Sequence, residues 1–291
     1  MKIMDSSMFF NEHLIADIKL EENAQWLDET HITEANLTFR NQAKDYVFSG
    51  NNTKSRILHH QFNAEEVFKS GLWNRSLGPW HWNKRNCHWY NEAMQRNACM
   101  NNIIFSDEDI IIMSDVDEII DRRFSQIIIE EVTRRGAISI KLHVTQYCFD
   151  LFADTWPGPP EYAYRVFIMM GWYFRKIGIS PDQLRKMGES GQLCNSIYCL
   201  PEPAGFHYSW IGNWRDLLYK INSYSHDSWE HSHRLINAKG EVDTFSLIDA
   251  IKTRDSLFEH CNLISRPDIG HLQALEAFKE RIEPFIAFPD C

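Results

Sequence analysis

No apolar stretch in the 291 residues approaches the roughly 18 uncharged positions needed to cross a bilayer, so no membrane span is expected. Met1 to Phe10 carry one Lys and no apolar run of signal-peptide length, and Glu12 and Asp17 follow directly, which predicts a soluble, cytoplasmic protein. Cysteine is scarce and unpatterned. The seven residues, Cys87, Cys99, Cys148, Cys194, Cys199, Cys261 and Cys291, contain no CxxC pair and read as reduced thiols, mostly core filler. No linker, repeat or low-complexity tract interrupts the chain, so residues 1–291 are read as one domain of unknown oligomeric state. Basic charge is also short, with 30 Lys+Arg against 40 Asp+Glu and a net charge of -10, which disfavours a nucleic-acid partner. Neither GxxxxGK nor GxGxxG occurs, so a nucleotidyltransferase built on a glycine-rich phosphate loop finds no support.

What the chain does have is apolar mass: 44% hydrophobic residues and 10 Trp, enough for a large core and incompatible with a disordered regulator. Helical spacing of Leu14 and Ile18 predicts an amphipathic helix over Phe10 to Glu22. Short apolar runs at Gln25 to Asp28 and Ser55 to Phe62 predict strands, and Trp80 to Ile104 has a helical pattern. Asp109-Ile110-Ile111-Ile112-Met113 holds a continuous β-branched run, the pattern of a strand buried on both faces. A helix over Phe124 to Arg134, strands over Ala137 to Phe149 and Tyr162 to Met170, and a short helix opened by Ser180-Pro181-Asp182-Gln183 follow. Gln192 to Leu200 is read as a strand, Asn213 to Tyr224 and Leu272 to Phe285 as helices, and Trp156-Pro157-Gly158-Pro159-Pro160 as a rigid surface loop. Strands alternating with helices around one apolar strand indicate an α/β sandwich.

The chemistry concentrates after that strand, in Ser114-Asp115-Val116-Asp117-Glu118-Ile119. Ligands of open α/β sheets bind beyond the carboxyl ends of strands, and acids at i and i+2 leave a strand on the same side. A carboxylate pair there suits a hard divalent cation that retains positions for substrate phosphates. An acidic turn capping the next helix is the plainer alternative, but it carries repulsion that a cation would relieve. Phosphatases of the haloacid dehalogenase type also place Asp-x-Asp after a strand, yet theirs is Asp-x-Asp-x-Thr near the N-terminus, and here the Thr position is Ile119 in mid-chain.

The segment resembles the Asp-Val-Asp-Glu motif of glycosyltransferase family 17, the β-1,4-mannosyl-glycoprotein β-1,4-N-acetylglucosaminyltransferase family. Further matches occur in order from residue 9 to about 229. Phe9-Phe10-Asn11-Glu12-His13-Leu14 with Ile18-Lys19-Leu20 is similar to the family's opening helix, and Glu29-Thr30-His31 with Phe39 to its Glu-x-Thr-His strand end. Asn91-Glu92-Ala93-Met94-Gln95-Arg96-Asn97 resembles the Glu-x-x-x-Arg helix before the acidic motif. Pro203-Ala204-Gly205-Phe206-His207-Tyr208-Ser209-Trp210 and Lys220 to His226 resemble its Gly-Trp-His-x-Ser-Trp block, with Phe206 replacing Trp; the Gly-x-x-Lys that often follows the strand end is missing around Glu34. The resemblance implies a GT-A fold, a Rossmann-like mixed sheet flanked by helices. It also implies a UDP-sugar donor, most often UDP-GlcNAc, an inverting transfer to a glycan or glycoprotein hydroxyl, and a Mn2+ or Mg2+ ion.

Within that framework Asp117 is assigned as the direct metal ligand, and Asp115 as a contact to ribose or to a metal-bound water. Glu118 shapes the turn or reaches the donor sugar. His207 is a third metal ligand, a diphosphate contact or a satisfied core histidine. Arg96 either pairs with Glu92 one helical turn away or points at the acidic loop and the diphosphate, where a guanidinium fits well. Lys220 is a second phosphate candidate, with a solvated helix face as its alternative. Glu29 contacts the base or ribose or is structural, and Trp210, Trp214 and Trp229 face sugar rings or fill the core. Inversion needs a base for the acceptor hydroxyl; Asp150, Glu202, Asp216 and Asp227 are available, and Asp227 beside His226 is preferred. The rival readings are transfer from another UDP-sugar such as UDP-xylose, and a carbohydrate-binding protein without catalysis; the latter has no need for paired acids beyond a buried strand.

Overall fold

The computed structural model describes residues 1–50, 56–70, 87–154, 165–193, 196–224, 235, 237, 242–258 and 261–287. The loop at Trp156 to Pro160, together with Asp227 and Trp229, lies outside the described residues. In chain order the elements are β1 (Ile3–Phe9), α1 (His13–Asn23), β2 (Glu29–Ala35), β3 (Arg56–Phe62), α2 (Ala64–Ser70), α3 (Cys87–Ala98), β4 (Ile110–Asp115) and β5 (Glu118–Ile120). Next come α4 (Ser125–Arg135), β6 (Ala137–Tyr147), β7 (Leu151–Ala153), β8 (Val166–Met170), α5 (Gly171–Ile177), α6 (Pro181–Glu189) and β9 (Tyr198–Ile211). The last are α7 (Trp214–Ser223), α8 (Thr244–Thr253), β10 (Leu263–Ser265) and α9 (Lys279–Ile282).

All the described strands join one sheet in the order β10-β7-β6-β8-β4-β1-β2-β3, with β9 pairing β5 and β6. The β3-β2-β1-β4 half is parallel, and β8 runs antiparallel to both β4 and β6. A mixed sheet flanked by helices is the GT-A-like, Rossmann-like architecture that the resemblance implies. Its centre is the isoleucine strand. Ile110 and Ile112 pack with Ile128 and Val132 of α4 on one face, while Ile111 and Met113 pack with Met4, Phe167 and Leu184 on the other. Period-two alternation between two apolar layers is why that run is β-branched on both faces.

Several elements differ from the sequence reading. The first strand runs over Ile3–Phe9, where none was expected, and it is buried despite Asp5, Ser6 and Ser7. The early strand begins at Glu29 rather than occupying Gln25 to Asp28, because Ala24 and Gln25 still close the end of α1 through amides bonded to Leu20 and Glu22. The strand expected over Gln192 to Leu200 starts only at Tyr198 and continues to Ile211. Leu272 to Phe285 is not one helix but 3-10 turns around the four-residue α9, with Pro284 in the last of them. No described helix is long and apolar enough to cross a membrane.

Candidate active site

The sheet's order reverses at β1, which has β2 on one side and β4 on the other, and a ligand crevice is expected beyond the carboxyl ends of strands at such a point. A cavity of about 400 Å3 opens there. Phe9 at the end of β1, with Phe10 and Glu12 just after it, forms part of its wall, as does Asp115 at the end of β4 with Val116 and Asp117 after it. Phe39, Trp89, Trp210, Tyr224 and Phe258 supply an aromatic side.

The acidic turn is shaped from within. The Asp115 amide donates to Glu118 Oε2 at 2.9 Å, and Glu118 is fully buried with its carboxylate on Arg185 Nη1 at 2.7 Å. Glu118 therefore folds back on its own turn and does not line the cavity. Asp115 and Asp117 do share the cavity wall, but they meet different partners. Asp115 is held by Arg96 of α3 at 3.3 Å and by Arg185 of α6 at 3.2 Å. Burial alone would raise its carboxyl, but the two guanidinium groups outweigh that and hold it down at about 2. Arg96 also bonds Glu92 at 2.6 Å and Asp182 at 3.1 Å, so its helix pair and its reach to the acidic loop coexist.

Asp117 faces Lys220 and His207. Its Oδ2 lies 3.3 Å from Lys220 Nζ, which bonds Glu12 at 2.8 Å and sits 5.3 Å above the Trp210 ring. Its Oδ1 lies 3.5 Å from His207 Nε2. Burial works against ionisation of Asp117, yet Lys220 and His207 drive its carboxyl far below the usual carboxylate range. Lys220 in turn stays protonated well beyond ordinary lysine, burial notwithstanding, because Glu12 and Asp117 flank it.

Strand pairing places the histidine. β9 runs antiparallel to β5 with Ile120 opposite Gly205 and Glu118 opposite His207, and the Tyr208 amide donates to the Asp117 carbonyl at 2.9 Å. A Cβ at Gly205 would stand 2.3 Å from the Ile119 carbonyl oxygen, so the close approach of the two strands requires glycine. Five residues after Gly205, the β6–β9 register passes from Gln146↔Ser209 to Tyr147↔Ile211 and skips Trp210. Trp210 has φ 60 there, a left-handed conformation rare for a bulky side chain, and its indole lines the cavity beneath Lys220.

The remaining expected residues fall elsewhere. Glu29 opens β2 rather than ending a strand. It is held by Lys2 at 2.8 Å, Arg56 at 3.0 Å and His31 at 3.3 Å, at the amino ends of the parallel strands and away from the cavity. Trp214 starts α7 outside the cavity lining. Asp150, Glu202 and Asp216 also lie outside it, Asp150 accepting from the Ala287 amide. Asp227, the preferred base, is outside the described residues. Arg185, which bridges Asp115 and Glu118, escaped the sequence reading because its i,i+4 pairing with Glu189 at 2.9 Å looks like an ordinary helix-surface pair.

The donors available to a divalent ion follow from these contacts. The Asp115 carboxylate is engaged by two guanidinium groups, whereas Asp117 Oδ1 and His207 Nε2 form one oxygen–nitrogen donor pair that suits Mn2+. Among the described residues no group of three or more His, Cys, Asp and Glu gathers around one point. A site with one or two protein ligands fits an ion whose other positions are taken by substrate phosphates and water.

Similar solved structures include S. aureus TarS 1-349, at 13% identity and TM-score 0.37 over 78% of this chain and 67% of that one. Another is mouse xyloside xylosyltransferase 1 in its apo form, at 9% identity and TM-score 0.30 over 91% and 97% of the two chains. Among curated proteins nothing matches. The family comparison is decisive: residues 1–157, more than half of the chain and including the acidic turn, match the model of glycosyltransferase family 17. The chain belongs to glycosyltransferase family 17, and its activity at that level is glycosyl transfer.

Proposed function

We propose that the chain, as a single catalytic domain, transfers a sugar from a UDP-sugar, UDP-GlcNAc first among the candidates, to a hydroxyl of a glycan acceptor with inversion. The observation that carries this reading is the convergence of Asp117, His207 and Lys220 on one cavity beyond β4. Asp117 and His207 are the residues that would hold a Mn2+ or Mg2+ ion, which when bound offsets the charge of the departing diphosphate. Lys220, already cationic and buried against Asp117, adds a fixed positive charge on the same side. Arg96 and Arg185 neutralise Asp115, so an anionic donor meets a compensated wall rather than a second bare carboxylate. Trp210 offers a flat ring beneath Lys220, and Asp227 is assigned to take the acceptor proton while UDP leaves from the opposite face of the sugar.

Thermal shift against a panel of UDP-sugars, with Mn2+ or with chelator, tests the donor, because a ligand that binds only native protein raises its melting temperature. UDP-GlcNAc with Mn2+ is expected to give the largest rise. The reading fails if no UDP-sugar stabilises the protein under any metal condition.

A further inference from the structure

Beneath the acidic turn lies a charged group with no part in the chemistry described so far. Lys19 of α1 is 2% exposed. Its ammonium donates to Ser114 Oγ at 2.7 Å, to the Glu118 carbonyl at 2.9 Å and to the Asp115 carbonyl at 3.0 Å, while Asp5 Oδ2 of β1 stands 3.3 Å away as counter-charge. Three N–H groups thus meet three oxygens, two of which are the backbone carbonyls at the two ends of the turn carrying Asp117. Asp5 is itself fixed by the hydroxyls of Ser7 and Ser114, each at 2.9 Å, and by the Asn23 amide at 3.2 Å.

A buried ion pair needs only a counter-ion, and Asp5 provides it. Bonds to both ends of a turn do something more: they fix the span from Asp115 to Glu118. That span sets where Val116 and Asp117 project. We propose that Lys19 is a positioning residue for the donor site, clamping the acidic turn so that Asp117 is presented to His207 and to the donor diphosphate. This rests on the donor reading above, and its test separates the two.

The test measures melting temperature and the affinity for UDP in the presence of Mn2+, by titration calorimetry, for the wild-type protein, Lys19→Met and Lys19→Met/Asp5→Asn. Lys19→Met strands a buried carboxylate and two carbonyls, so it is expected to lose both stability and UDP affinity. The double variant removes the stranded charge but restores no clamp. Its melting temperature is expected to recover most of the loss, while its UDP affinity stays at least tenfold below wild type. Recovery of affinity together with stability overturns the proposal, as does wild-type affinity in Lys19→Met. Failure of both variants to fold also overturns it, since Lys19 is then a stability element. If wild-type protein binds no UDP with any metal, the donor reading itself has failed.

Discussion

Arg185→Met removes a guanidinium that is 8% exposed and shared by Asp115 at 17%, fully buried Glu118 and, at the rim, Glu189. Glu118 accounts for most of the effect, because it has no water to turn to once its 2.7 Å partner is gone. Breaking a buried pair by deleting one partner costs about 3–5 kcal/mol, mostly as the penalty of the uncompensated charge. The contact to Glu189, on a side chain 42% exposed, adds little. At roughly 2–3 °C per kcal/mol for a chain of this size, the melting temperature should fall by about 6–15 °C. Differential scanning calorimetry of Arg185→Met against wild type measures this directly. Glu118→Gln/Arg185→Met removes both charges and should recover at least half of the loss, a non-additivity expected only for contacting groups. A fall below about 2 °C in the single variant, or strictly additive effects in the pair, would refute the claim that Arg185 compensates the acidic turn.

Gly205→Ala drives a methyl group into the Ile119 carbonyl, and overpacking of this kind costs about 1–3 kcal/mol; calorimetry should show a lower melting temperature, accompanied by weaker UDP binding because β9 carries His207. Asp115 supplies a pH signature. Its carboxyl is held at about 2 rather than 3.8, so its contribution is complete above pH 3.8 and is lost as pH falls through about 2. That gap corresponds to about 2 kcal/mol. Asp115→Asn should flatten acid unfolding curves over this window, and an unchanged slope would contradict the assignment. Lys220→Met should raise the donor KM at least tenfold while leaving the fold intact on circular dichroism. Asp117→Ala should abolish metal-dependent transfer, measured as UDP released in the presence of acceptor; wild-type turnover there would remove Asp117 from the site.

The parts of this architecture that could be read from the sequence are those where one physical signal dominates. The run Ile110 to Met113 declares a two-faced buried strand, Ser180 and Gln183 form the capping box of α6, and Asn213 caps α7. The first strand escapes because its buried polar residues are satisfied by distant partners: Asp5 by Lys19 and Asn23, Ser6 by the Cys99 carbonyl. Periodicity cannot see a hydrogen bond across 93 residues. The site shows the same division. Asp115 and Asp117 announce themselves by spacing, whereas Arg185 and Lys19 look like ordinary helix residues until packing turns them inward. For Glu29 the sequence left a donor contact and a structural role open, and its place at the opposite end of the strand from the cavity favours the structural one.

Along the chain, the acidic turn lies within residues 1–157, whereas His207, Lys220 and Arg185 come after them. The central strand is likewise shared: β1 flanks β4 on one side and β8, from the later segment, covers the other. A fragment ending at residue 157 would keep the family's recognisable signature but expose the edge of its most apolar strand and leave Glu118 without its arginine. The signature is therefore an address for the candidate site rather than the whole of it, and engineering that transplants or shuffles segments of this chain must carry β8, α6, β9 and α7 along with the acidic turn to keep that constellation together.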